Sequence, residues 1–520
     1  MASADGIILV LYFATLCGLS VYGAHRSLLV WSYLRGRRRA RRQHGAHGAL
    51  PRVTVQLPLY NERHVAERLI AAVARIRYPR DRFEVQVLDD STDETRDIAS
   101  RAVRAWRSRG VAIRYLHRTS RDGFKAGALR EGLRTATGDL VALFDADFMP
   151  PADFLERAIV PFADPRVGMV QARWGHANRD YSLLTRVQAL LLDGHFVLEH
   201  GGRYRGSCFF NFNGTAGIWR RAAIRGAGNW QADTLTEDLD LSYRAQLAGW
   251  RFVFLQDVVV PAELPVEMNA FKSQQHRWAK GSMQSCRKLL PAVLRARLPF
   301  RVKLEAALHL TANLNYLLLL ALSLLVVPAI AARTGAGGDP RTLWIDAVFF
   351  ASAAVSVSGF YGVSQRALGV GWRARLRDLP AAIALGLGLS VNNAVAVLEA
   401  LAGRTGEFRR TPKYGLTAAT SSRATRPADG RYRLVSSWQP LVELAFGVWF
   451  AVALLRAFTA GAYMVTPFIA FFLFGFLYAA CASLAETWAH WRSRRRRGRT
   501  RADLQHAGAR HSSHWAEEAS

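Results

Sequence analysis

The sequence predicts a doubly wound α/β domain joined to a helical transmembrane bundle, and three observations lead there. Between residues 51 and 290, strand-like runs (VTVQLPL, FEVQVLDD, LVALFDAD, GMVQARW and FVFLQDVVV) alternate with helix-like stretches. That alternation is the pattern of a mostly parallel sheet with helices on its faces. Apolar runs long enough to span a bilayer stand on both sides of this region. Two arginine-dense blocks, RGRRRARR at 35–42 and RSRRRRGRTR at 492–501, each directly follow an apolar segment. Such placement marks cytoplasmic flanks of membrane spans.

Taken in order, residues 1–34 are expected to form a first transmembrane helix, beginning GIILVLYFATLCGLSVYGA from Gly6. A signal peptide carries its charge before the apolar run, whereas here the basic block follows, so the span is read as retained. No Lys or Arg precedes it, which puts the amino terminus outside. Residues 35–50 are a basic juxtamembrane linker ending in the polar QHGAHGAL, and residues 51–290 are the α/β domain, expected in the cytoplasm. Residues 291–487 form the transmembrane region, with spans at 307–331, 343–365, 438–457 and 462–486. The segment 381–402, AAIALGLGLSVNNAVAVLEALA, is long enough to cross, but basic residues flank it on both sides. With Asn392, Asn393 and Glu399 inside it, it is read as lying along the inner interface. A loop at 403–436 and a basic, disordered tail at 488–520 complete the chain.

Composition excludes some classes. With 520 residues, 50% of them apolar, the chain has room for one large domain and a membrane portion. A formal net charge of +29 would fit nucleic-acid binding, but the arginines cluster at span ends, so no nucleic-acid partner is expected. Cys17, Cys208, Cys286 and Cys481 lie far apart, without metal or disulfide spacing, and are read as reduced thiols. Arginine far exceeds lysine, which points to a bacterial genome and hence an inner (plasma) membrane.

Acidic clusters stand where strands should end: Glu62 in LYNER, Asp89 and Asp90 in LDDST, Asp145 and Asp147 in FDADF, Glu237 and Asp238 in LTEDLD. The carboxyl edges of strands line the ligand crevice of an open α/β sheet. On an extended chain the two aspartates of DAD share a side and can bind one Mg²⁺, which would bridge to phosphate oxygens. The competing reading for each cluster alone is an Asx turn or helix cap. TED opens a helix-like run, so Thr236 is a candidate N-cap, and either Glu237 or Asp238 can serve as a base held ionised by the helix dipole. Lys125, in GFKAGAL, is either a surface charge or a diphosphate contact. In FKSQQHRWAK, offsets of three and four put Gln274, Arg277 and Trp278 on one helix face, suited to something flat and anionic.

The order LYNE, LDDST, KAG, DAD, FNGT, TED and QQHRW, followed by membrane spans, resembles the processive inverting glycosyltransferases of family two: the cellulose, chitin, hyaluronan and mannan synthases. The nearest likeness is to plant cellulose-synthase-like A and C enzymes, through VQLPLYNER, VQVLDDSTD, FDADF, VQARW, FNGTAGIWR and QQHRW, over about residues 50–290. The resemblance implies a GT-A fold in which Tyr60, Glu62, Asp89 and Asp90 hold the nucleoside and Lys125 its diphosphate. It implies that Asp145 and Asp147 hold Mg²⁺ or Mn²⁺ against the nucleotide and that Asp238 is the general base. Gln274 and Arg277 would meet the diphosphate, and Trp278 would stack on the acceptor sugar. FRRTPK at 408–413 is similar to the Phe-x-Val-Thr-x-Lys gating loop of cellulose synthases, through Phe408, Thr411 and Lys413, with Arg410 where Val is usual.

The implied activity is in-line transfer of hexosyl units from GDP-mannose or UDP-glucose to a growing β-1,4-linked polysaccharide, without a covalent enzyme intermediate. The polymer would leave through a polar lumen that Asn313 and Asn315 are candidates to line. The alternative is transfer of one sugar to a lipid, as in ceramide glucosyltransferases, which share a similar Gln-x-x-Arg-Trp motif.

Overall fold

A computed structural model describes residues 4–36, 50–334, 342–369, 371–404, 406, 410–417, 438–459 and 461–517. Phe408, most of the 403–436 loop and all of the 35–50 linker except Arg35, Gly36 and Leu50 therefore lie outside the described residues.

Seven strands make one sheet: β1 (Val53–Leu59), β2 (Phe83–Asp89), β3 (Ile113–His117), β4 (Leu140–Leu143), β5 (Val167–His176), β6 (Gly217–Arg220) and β7 (Arg251–Ala262). Their order is β3-β2-β1-β4-β6-β5-β7, and only β6 runs against its neighbours. The β3-β2-β1-β4 half has the strand order of a mononucleotide-binding unit, so the crevice lies beyond the carboxyl ends of β1, β2 and β4. Reversal of β6 matters for the site. Gly217 pairs with Leu143, so the FNGT loop ahead of β6 lies beside the DAD turn that follows β4.

The strands read as near-continuous apolar runs because both faces are covered. Alternation along β4 shows the division: Leu140 and Ala142 join Val53, Val55 and Ile70 in one apolar layer. Val141 and Leu143 join Leu129, Leu133 and Trp219 in the other. Strands β3 and β6 were not anticipated by periodicity, being short and only weakly alternating.

Five described helices are long and apolar enough to cross a membrane: Ala4–Arg35, Ala312–Thr334, Leu343–Leu368, Gln439–Thr459 and Tyr463–Arg492. The segment read as one interfacial helix at 381–402 is broken, with Trp372–Gly388 and Ser390–Leu401 meeting at a bend of 43°. Close packing occurs beside the bend: a Cβ on Gly388 would stand 2.2 Å from the carbonyl of Gly475, so the two helix backbones touch. The last helix runs Thr466–Glu517 through the tail expected to be disordered. Its Arg- and Ala-rich sequence has good helix propensity, and the preceding span supplies the costly nucleus.

The helix Met268–Arg295, which carries QQHRW, couples the sheet to these membrane helices. Glu486 accepts the backbone N–H of Met268 at 2.6 Å and of Asn269 at 2.9 Å, capping its first turn from a neighbouring helix. Lys272 is paired with Glu443, and Asn392 donates to the Lys272 carbonyl at 3.0 Å.

Candidate active site

The nucleoside end is built on β1, β2 and β3. Asp90 takes a two-pronged pair from Arg118, at 2.7 and 2.5 Å, the fork geometry that fixes both side chains. Arg121 lies over the Tyr60 ring, 3.4 Å from its centre, leaving a flat cationic and aromatic wall. Asp89 has no exposed surface. Its carboxylate accepts from Tyr115 and from the Ser91 N–H, so it shapes the pocket through those groups. Glu62 is paired with Arg410 at 2.7 Å, and burial, partly offset by Arg410, pushes its pKa up to about 7.

The DAD segment departs from expectation. It forms a turn after β4, closed by the Phe148 N–H donating to the Asp145 carbonyl at 3.0 Å, so its side chains face different partners. Asp145 meets Lys125 at 2.6 Å, and Asp147 meets Lys413 at 2.8 Å. An extended chain would have placed both carboxylates on one side; the turn removes that period-2 geometry. The donor set still suits a hard cation, since Mg²⁺ or Mn²⁺ takes one or two carboxylates and completes its shell with phosphate and water. Among the described residues no group of three or more His, Cys, Asp or Glu side chains is arranged to hold a metal.

Lys125, read as a diphosphate contact, sits among carboxylates and carbonyls. It donates to the Gly214 carbonyl at 2.9 Å, pairs with Asp145 and lies 4.0 Å from Glu237. Burial opposes its charge, but Asp145 and Glu237 outweigh that and hold its pKa above the ordinary lysine value.

TED opens the helix Glu237–Leu247 as expected, with Thr236 at the N-cap. Thr236 makes no capping hydrogen bond; its hydroxyl lies 3.1 Å from that of Ser285 on the QQHRW helix. Burial, then the neighbouring Glu237, pushes Asp238 up to about 7. FNGT comes close here because Gly214 has φ of +81°, and a Cβ at that position would lie 3.0 Å from Asp238 Oδ2 and 3.4 Å from Lys125 Nζ. Arg277 reaches the same cluster: burial lowers its pKa while Glu237, Asp145 and Asp238 act to raise it. Gln274 and Trp278 are half-buried on that helix. Asn313 and Asn315, half-buried, mark the break between the helices Phe300–Thr311 and Asn315–Thr334.

A strap, residues 410–417, closes over the crevice. Glu263, buried after β7, accepts the N–H groups of Tyr414, Gly415 and Leu416 at 2.7, 2.8 and 3.0 Å. Lys413 also donates to the Glu263 carbonyl at 2.7 Å. The rule that flags carboxylates at strand ends applies equally to Glu263, in PAELP, yet sequence reading missed it, along with Arg118, Arg121 and Tyr115. Thr411 is buried in the strap.

The arrangement gathers carboxylates, two lysines and several arginines around one crevice: a place for a polyanion and a proton acceptor. Comparison with known proteins agrees. The model of the family "Glycosyltransferase like family 2" matches residues 51–281. The chain is 43% identical over 277 residues to a probable glucomannan 4-beta-mannosyltransferase of Arabidopsis thaliana, covering 52% of this chain and 50% of that protein. It is 39% identical over 326 residues to a second from the same plant, covering 57% and 61%. A third, from Cyamopsis tetragonoloba, is 44% identical over 266 residues, covering 50% of each. The chain thus spans roughly half to three fifths of the length of these relatives. Among solved structures, a mannosyltransferase from Pyrobaculum calidifontis, in complex with GDP-Man and Mn²⁺, superposes with a TM-score of 0.52 at 24% identity, over 76% of this chain and all of that one. That likeness is one of fold, the GT-A arrangement. Residues 51–281 are a glycosyltransferase family 2 domain, in a chain whose apolar helices are long enough to set it in a membrane.

Proposed function

We propose that this chain is a membrane-embedded, inverting, metal-assisted glycosyltransferase that moves mannosyl units from GDP-mannose to a growing β-1,4-linked polysaccharide. The observation carrying this is the meeting of Asp145, Glu237, Asp238, Lys125 and Arg277 at one crevice beside FNGT. The relatives' 4-β-mannosyl products favour GDP-mannose over UDP-glucose.

Tyr60, Glu62 and Asp90 would hold the nucleoside end, with Asp89 acting through Tyr115. Asp145 and Asp147 would hold Mg²⁺ or Mn²⁺, which supplies charge neutralisation to the departing diphosphate. Lys125, Arg277 and Gln274 add positive and hydrogen-bonding partners for that diphosphate. Asp238 removes the proton from the acceptor hydroxyl, and Trp278 offers its face to the acceptor pyranose. Direct displacement converts an α-linked donor to a β-linked product. Thr411 and Lys413 belong to a strap that would open to admit donor, while Phe408, the third residue of the gating-like motif, lies outside the described residues. The relatives named above are plant proteins and lend no support to a bacterial inner membrane, so the proposal is confined to a bilayer with the crevice on its donor side.

The test is a donor screen on membranes containing the full chain, with linkage analysis and a chelator arm. We expect consumption of GDP-mannose, 4-linked mannan of many units, and loss of turnover in excess chelator. Exclusive use of UDP-glucose, or a single sugar on lipid, would overturn the donor or polymer assignment.

A further inference from the structure

Below the FNGT loop lies a polar cluster that the reaction as derived does not use. Residues His195–His200 form a π-helix inserted between the helices Leu183–Gly194 and Gly201–Arg205. Such insertions cost hydrogen-bond geometry and recur at functional sites. This one packs against the membrane helices Ala4–Arg35 and Leu343–Leu368 and against β7. A Cβ on Gly194, just ahead of it, would stand 2.7 Å from the Tyr361 ring.

The hydrogen bonds in the cluster fix one another. Asn211 Nδ2 donates to Asn213 Oδ1 at 2.6 Å, which leaves the Asn213 amide nitrogen facing His195 Nε2 at 3.1 Å. An amide nitrogen only donates, so His195 Nε2 accepts and its proton sits on Nδ1. That proton goes to Glu199 Oε2, 2.8 Å away. Arg203 approaches Glu199 at 3.7 Å. Burial would raise the Glu199 pKa, but His195 and Arg203 reverse this and hold it well below the ordinary value. Glu199 is therefore an anion. No hydrogen bond to its Oε1 occurs among the described residues, and the side chains of His195 and Glu199 remain 29% and 28% exposed. They lie on a segment packed against two helices long enough to cross a membrane, and both side chains keep part of their surface accessible. Asn213 precedes Gly214, the residue against Asp238.

We propose that the His195–Glu199 pair, with Asn213 leading from it to Asp238, is a subsite for the acceptor glycan. It holds hydroxyls of a pyranose behind the one being glycosylated. Sugar hydroxyls both donate and accept; the ionised Glu199 accepts from one, and the Asn213 amide donates to another. Fixing that ring aims the terminal hydroxyl at Asp238 and keeps the chain at the mouth of the membrane helices. His195 is a positioning residue, since it acts by orienting Glu199 and Asn213. The inference rests on the glycosyltransferase reading and names the residues that grip its second substrate.

The experiment uses the full chain in lipid nanodiscs, GDP-mannose or UDP-glucose, and a ladder of manno-oligosaccharides as acceptors. Acceptor KM is measured beside donor hydrolysis in the absence of acceptor. Glu199→Gln is expected to raise acceptor KM about ten-fold, as for loss of one charged hydrogen bond, with donor hydrolysis changed by less than about two-fold. His195→Gln, which removes the ring but keeps polarity, is expected to do the same to a smaller extent. An unchanged acceptor KM in both variants overturns the subsite, as does a parallel fall of donor hydrolysis and transfer, which marks a structural role. Should the unmodified chain release nucleotide from neither donor, the enzyme reading itself fails and the subsite falls with it.

Discussion

Lys413 Nζ lies 2.8 Å from Asp147 Oδ2, so a cation carried by the strap neutralises a carboxylate that the proposed reaction would give to a divalent metal. Burial opposes charge on Lys413, yet Asp147 and Glu263 more than compensate and hold its pKa above the usual value. Lysine and metal would thus compete for one oxygen. Lys413→Met is expected to lower the metal concentration for half-maximal activity about five-fold, roughly 1 kcal/mol. A metal titration of donor hydrolysis reads this directly; an unchanged midpoint rejects the competition.

Asp238→Asn keeps shape and removes the proposed base. Transfer is expected to fall by about 10²- to 10⁴-fold, the usual contribution of general-base catalysis, while nucleotide binding survives. Calorimetric binding of GDP beside turnover separates the two. Near-normal turnover would move the base elsewhere, with Glu237 the first candidate.

The pH profile follows from the same residue. A carboxyl raised to about 7 is protonated and idle as a base below that point, so kcat/KM should climb with pH up to about 7 and then level. Glu237 is part of the cause, through like-charge repulsion. Glu237→Gln removes that repulsion, and the rising limb should move to lower pH. A limb that stays in place would assign it to another group.

Much of this site was legible in sequence because strand ends announce themselves. Asp89, Asp90, Asp145 and Asp147 each follow a run of apolar β-formers, and TED sits where a helix starts. What escaped depends on local turns and on long-range closure. The turn that parts Asp145 from Asp147 has no period to read, and the pairing of Lys413 with Asp147 spans 266 residues. Arg118 and Arg121 lie in a polar stretch after the short strand β3, where nothing in composition separates them from the chain's many surface arginines. The break at Leu389 sits beside a close backbone contact between Gly388 and Gly475 on another helix, which no one-dimensional pattern contains.

Gly214 is a packing and conformational requirement at once. At φ of +81° any other side chain is strained, and a methyl group there presses on Asp238 Oδ2 at 3.0 Å. Gly214→Ala is expected to cost about 1–3 kcal/mol of stability and to displace Asp238 or Lys125. Thermal unfolding and transfer rate measured together decide the matter. Full activity with unchanged melting would show that the loop relaxes freely.

The strap depends on Glu263 more than on its own sequence. Three consecutive backbone N–H groups, from Tyr414 to Leu416, converge on one buried carboxylate, and Arg68 adds a bond to the Gly415 carbonyl at 3.1 Å. Each bond to a charged acceptor contributes roughly 1.5–3 kcal/mol, and a carboxylate stranded without them would be costly to bury. Burial already raises the Glu263 pKa, against the pull of Lys413, so the carboxyl keeps its proton to higher pH than an ordinary glutamate. Glu263→Ala removes the acceptor while leaving Asp147 and Lys413 in the chain. Amide hydrogen exchange at residues 414–416 should then quicken by about ten-fold or more. The metal midpoint should fall in step, since a freed strap carries Lys413 away from Asp147. Faster exchange without that fall would mean that Lys413 holds its place unaided, and the strap would then have two independent anchors.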